Sequence, residues 1–100
     1  MIQGTTPTHA FKVPIDTAII SNVRITYAQN GSVVLTKEKE DCKMGENLVS
    51  VKLTQEETFN FDEELPVDIQ IRILTTGGDA LASKVERVPL LTVLDGEVLS

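Results

Sequence analysis

The sequence predicts an all-β, antiparallel fold, and three observations carry that reading. Apolar and polar residues alternate in several short runs, the period of a strand with one buried face. Turn residues such as Asn30-Gly31 and Gly77-Gly78 interrupt those runs at the roughly 8–12-residue spacing of a sandwich or small barrel. Of 100 residues only Phe11, Tyr27, Phe59 and Phe61 are aromatic and none is Trp. The core therefore has to come from Val, Ile and Leu, and a β-branched core favours strands.

The first strand expected is "THAFKVPI", with His9, Phe11 and Val13 on one face and Pro14 closing it, since proline cannot donate to a ladder. "IDTAII" reads as a connection re-entering the core. "SNVRITYAQ" then sets Val23, Ile25 and Tyr27 against Arg24, Thr26 and Ala28. Asn30-Gly31 follows, the preferred pair for a two-residue hairpin in which both central residues take positive φ. "SVVLTKEK" returns as the partner strand. "EDCKMGEN" reads as a second turn into "NLVSVKLT", which makes three consecutive antiparallel strands the expectation.

At "LTQEETFNF" the alternation stops. Thr54 followed three residues on by Glu57 fits a capping box, so a short helical turn is expected near residues 54–59. "PVDIQIRIL" is the cleanest strand, with Val67, Ile69, Ile71 and Ile73 on one face. Leu81, Val85 and Val88 in "ALASKVERV" match helical spacing as well as a strand. The preceding Gly-Gly turn and the Val88-Pro89 pair favour strand. "LLTVLDGEVLS" fits a last strand or a helical turn equally. About six to eight strands in one β-sandwich domain over residues 1–100 are expected, and a chain of this length hides roughly two thirds of its unfolded surface on folding.

Charge and composition argue against several functions. A net charge of −6, from 15 acidic and 9 basic residues, argues against nucleic acid or an anionic membrane as partner, because such affinity rests on Lys and Arg. One cysteine, Cys42, cannot form an internal disulfide. The opening "MIQGTTPTHAF" has no basic or apolar leader pattern, and no apolar run approaches the roughly 18 residues of a membrane span. A cytoplasmic location in the producing cell is expected.

No residue reads as a catalytic, cofactor or metal site. His9, the only histidine, reads as a strand-face residue, and Cys42 as a partly exposed structural thiol. A structural zinc site wants four ligands, mostly Cys and His, and the chain offers two. "KEKED" and Asp62-Glu63-Glu64 lack the spacing of a calcium loop and read as solvated charge. "LTTGGDA" has the glycines of a phosphate loop without its lysine. No pair of carboxylates is placed as acid and base. A sandwich does have edge strands that recruit partners by strand addition unless blunted by charge or proline. "THAFKVP", with Lys12 and Pro14, and "LTKEKED" are partly guarded in that way.

The order "FKVPID", "VRITYAQNGSVVLTKEKE", "NLVSVKLTQEETFNF" and "VDIQIRILTTGGDALASKVERV" resembles small immunoglobulin-like β-sandwich modules of tailed phages and prophages. The similarity is greatest to the N-terminal module of phage baseplate upper proteins and covers most of residues 8–88. That resemblance implies an immunoglobulin-like sandwich and a non-enzymatic structural part of a tail or baseplate. Such a part has no cofactor, partners that are tail or baseplate proteins or further copies of itself, and a final location in the virion. A single domain is expected over residues 1–100, without the trimerisation stem or receptor-binding region of that pattern. The alternative expectation is a small ligand-binding sandwich, for carbohydrate or peptide, which requires exposed aromatic rings if the ligand is a sugar.

Overall fold

The computed structural model describes residues 1–100. Eight strands alternate with short turns: β1 (Thr8–Lys12), β2 (Ile20–Gln29), β3 (Ser32–Glu38), β4 (Cys42–Gly45), β5 (Leu48–Lys52), β6 (Val67–Thr75), β7 (Ala80–Ala82) and β8 (Glu86–Val88). One α-helical turn, α1 (Gln55–Phe59), stands between β5 and β6, and 3₁₀ turns cover Thr17–Ile19 and Lys39–Asp41. All strand pairs are antiparallel and form two sheets, one ordered β1-β5-β4 and the other β3-β2-β6-β7, with β8 also pairing β6.

This is the immunoglobulin strand order. Taken along the chain as B, C, C′, D, E, F and G, with β7 and β8 together as G, the strands build a B-E-D sheet against a C′-C-F-G sheet. The cross-sheet disulfide of antibody domains has no counterpart, since the chain holds one cysteine. Thirteen buried apolar side chains replace it, dominated by Val23, Ile25 and Tyr27 of β2, Val49 and Val51 of β5, and Val67, Ile69, Ile71 and Ile73 of β6. They occupy every second position, as the sequence alternation requires. The Cα envelope measures 47 × 30 × 16 Å. Its short dimension is little more than the ~10 Å between stacked sheets, so both outer sheet faces meet solvent.

The β2–β3 hairpin turns at Asn30 (φ 49°) and Gly31 (φ 82°), both in the left-handed region that the two-residue turn demands. The register shifts near Tyr27 and Ala28, so that Tyr27 faces Leu35 while Ala28 faces Val33. The bulge absorbs Val34. The capping box forms as expected: the Thr54 hydroxyl accepts from the Glu57 N–H, and a Glu57 carboxylate oxygen accepts from the Thr54 N–H.

Three expectations are corrected. The three consecutive strands do not share a sheet: β3 pairs β2, whereas β5 crosses to the other sheet and pairs β1 and β4. The stretch read as one long turn contains β4, whose four residues are mostly exposed and have no alternation to betray them. Residues 92–100 form neither strand nor helix. Leu91 makes an isolated parallel bridge to Ile2, and Gln55 holds the backbone of Leu99 through two hydrogen bonds. The ambiguous segment 80–88 resolves as two short strands on β6, parted by an irregular Ser83–Val85.

Candidate interaction surfaces

The chemistry-bearing residues are held apart or already engaged. On the inner face of the three-stranded sheet, Val51 faces both His9 of β1 and Cys42 of β4. Imidazole and thiol therefore sit two strand spacings apart, each about 4.8 Å, too far for a base to activate a nucleophile. His9 Nδ1 lies 2.7 Å from the Tyr27 hydroxyl, with the rings 5.5 Å apart. Burial pushes the phenol pKa far above its ordinary value, so the hydroxyl keeps its proton and donates to Nδ1. Burial also lowers the His9 pKa, keeping the imidazole neutral. Cys42 donates to the Glu38 carbonyl at 3.3 Å, and burial, reinforced by Asp41, raises its pKa. That is the reverse of thiolate activation.

The charged run 37–41 is used locally. Lys37 bridges Glu57 at 2.6 Å, Glu38 accepts from Arg24 at 2.9 Å, Lys39 donates to the Ile20 carbonyl, and Asp41 caps the Glu38 N–H. Burial raises the Glu57 pKa, but hydrogen bonds from Lys37 and the Thr54 N–H outweigh it and the net shift is downward. Asp62 accepts from the Glu64 N–H in a local turn, and no three His, Cys, Asp or Glu side chains converge. "LTTGGDA" is the β6–β7 turn, closed by Gly78 N–H to the Thr75 carbonyl and Asp79 N–H to the Thr75 hydroxyl. Tyr27 and Phe61 are buried and in edge-to-face contact, and Phe11 and Phe59 are half-buried. No ring stands on an outer face to stack a sugar.

The outer face of the five-stranded sheet is different. On β2 it presents Asn22, Arg24, Thr26 and Ala28, and on β6 Asp68, Gln70, Arg72 and Leu74. Arg24 and Arg72 are direct cross-strand partners, an arrangement that costs stability because like charges face each other. Arg24 is relieved by Glu38, but Arg72 has no ion partner. Between the two guanidinium-bearing positions lies a hollow of about 240 Å³, also lined by Asn22, Leu74 and Ala80. Further down the face, Arg87 of β8 grips Asp68 with two hydrogen bonds of 2.8 and 3.1 Å. Sequence reasoning missed the arginine pair, since only the β2–β6 register brings residues 48 positions apart together.

No protein-family model and no curated protein matches the chain. Among solved structures, the V domain of amphioxus IgVJ-C2 is similar over 90% of this chain and 96% of that chain, at 11% identity and a TM-score of 0.37. Strand order and register alone define the immunoglobulin-like sandwich. No helix is long and apolar enough to cross a membrane.

Proposed function

We propose that the chain is a non-enzymatic protein-interaction module, working as one domain, that serves as a structural part of a phage tail or baseplate. The observation that carries the interaction reading is the outer face of the five-stranded sheet, where Arg72 faces Arg24 without an ion partner in a protein of net charge −6. A like-charge pair that works against the fold becomes favourable when a partner carboxylate enters between the two guanidinium groups, as charge-assisted hydrogen bonds form. The surrounding small side chains of Thr26, Ala28, Ala80 and Ala82 let a partner approach the sheet closely. Support for a tail or baseplate setting comes from the sequence resemblance over residues 8–88, and the partner would then be a tail or baseplate protein within the virion.

Purified tail and baseplate proteins encoded in the same genome, immobilised and titrated with this chain, test the proposal. Saturable binding that Arg72→Glu weakens by more than tenfold is expected. Failure of the wild-type chain to bind any of them overturns the tail reading, and binding indifferent to Arg72→Glu removes the interface from this face.

A further inference from the structure

A second surface lies on the open side of the sandwich, between β1 and β7. In the β1–β5 ladder, Val13 N–H donates to the Asn47 carbonyl and Leu53 N–H to the Pro7 carbonyl. Because hydrogen-bonded positions alternate along an antiparallel pair, His9 and Phe11 also point their backbone groups at β5. Thr8, Ala10 and Lys12 point theirs outward, where no bond is made. The β6–β7 ladder is bonded through Asp79 and Ser83, so Ala80 and Ala82 likewise face away from β6. Between these edges opens a hollow of about 230 Å³ lined by Val13, Pro14, Ile71, Ile73 and Leu81, with the exposed Lys12 at its rim. Free ladder groups beside a slot reaching core side chains are what strand addition needs: the backbone supplies affinity and the slot reads alternate side chains.

Residues 92–100 of the same chain match that slot. Leu94 is fully exposed, Leu99 largely so, and Val93 and Val98 in part, an apolar load only partly covered in its own protomer. Within that protomer the segment is tied by Gln55 to Leu99 and by a local turn in which Asp95 accepts from the Glu97 N–H. Both ties are exposed and weak relative to a ladder. Drawn out as a strand, the segment points Leu94 and Val98 to one face, and Asp95 and Glu97, flanked by Val93 and Leu99, to the other. With Leu94 directed into the slot, the two acids share the outer face with Lys12. Apolar fit and charge fit thus agree on which face of the segment turns inward.

We propose that a second copy of this chain lays residues 92–98 along the free edge of β1, with Leu94 in the Val13/Ile71/Ile73 slot and Asp95 or Glu97 beside Lys12. The contact is independent of the arginine face, and two copies can exchange the segment reciprocally.

Light scattering of the full chain from micromolar to millimolar concentration tests this, together with Leu94→Ser, which spoils the donor, and Ala10→Pro, which removes an outward N–H from the acceptor edge. Wild type should shift from monomer to dimer mass with concentration, and each variant alone should stay monomeric across the range. An equimolar mixture of the two variants should recover heterodimer, since one retains a sound edge and the other a sound donor. Amide exchange on the wild type gives a second reading that requires no variant: Thr8, Ala10 and Lys12 should gain protection as concentration rises. A strict monomer, a dimer indifferent to both substitutions, or protection at Ala10 independent of concentration would each overturn the proposal. Arg72→Glu should leave this association intact, which separates its fate from that of the sheet-face reading.

Discussion

Arg24 and Arg72 stand directly opposite each other across β2 and β6, and only the first has an acidic neighbour. Facing like charges in an antiparallel pair are unfavourable by a few tenths to about 1 kcal/mol, and Glu38 places this pair at the lower end. Arg72→Thr, which installs a good strand former, should therefore stabilise the fold by a few tenths of a kcal/mol in urea titrations at low ionic strength. Because the Debye length shrinks from about 30 Å at 0.01 M salt to about 3 Å at 1 M, the gain should fade in concentrated NaCl. A loss at low salt would mean that packing of the Arg72 stem outweighs the repulsion.

The contact between His9 and Tyr27 ties stability to pH. Burial depresses the His9 pKa below 6.5 in the folded state, so the unfolded chain takes up the proton first as pH falls. The stabilisation is complete above about 6.5, the unfolded value, and is lost as pH drops toward the folded one. Glu57, whose pKa is lowered from 4.5, contributes stability that is complete above 4.5 and lost as pH falls below it, a separate window. Thermal unfolding followed between pH 7.5 and 5.5 should show a declining Tm in the wild type and a flatter profile in His9→Gln. An identical decline in both would assign the effect to another group.

What could be read locally was legible in the sequence. Asn30-Gly31 announced its own hairpin, and Val67, Ile69, Ile71 and Ile73 announced a strand with one buried face. Thr54 and Glu57 announced the cap. The alternation of β5 also marked a strand, but nothing in Val49 or Val51 says which sheet it joins, because pairing with β1 is settled by crossing the sandwich and not by neighbours in sequence. β4 was hidden for the opposite reason: Cys42 to Gly45 bury almost nothing and so carry no periodic signal. The β1 edge was legible in "THAFKVP" as a strand partly guarded by Lys12 and Pro14, but the arginine pair and the slot beside that edge were not. The arginine pair exists only through the β2–β6 register, and the slot only through the separation of β1 from β7.

Gly4 and Gly31 both adopt positive φ, at 72° and 82°, but their surroundings differ. A Cβ on Gly31 would meet nothing within 4 Å, whereas one on Gly4 would lie 2.5 Å from Cζ of Phe59. Each Ala substitution incurs the left-handed backbone cost of about 1–2 kcal/mol. Gly4→Ala must in addition displace the Phe59 ring. Urea unfolding should show Gly4→Ala as the more destabilised of the two, and equal losses would mean that Phe59 moves aside freely.

Thr58, fully buried in α1, fixes the same N-terminal stretch through its hydroxyl, which accepts from the Gly4 N–H at 2.9 Å and lies 3.0 Å from the carbonyls of Thr5 and Gln55. Thr58→Val keeps the shape but leaves the Gly4 N–H without its acceptor, a loss of about 1–3 kcal/mol for an unsatisfied group. Thr58→Ser keeps the hydroxyl and gives up one methyl, about 0.8 kcal/mol by transfer. If hydrogen bonding governs this site, Ser is the milder substitution even though Val is the more apolar. Val should also speed hydrogen exchange at the Gly4 amide, while Ser should leave it protected. The opposite order, with Val stabilising, would mean that solvent or the Phe59 ring accommodates the freed N–H and that the hydroxyl is dispensable.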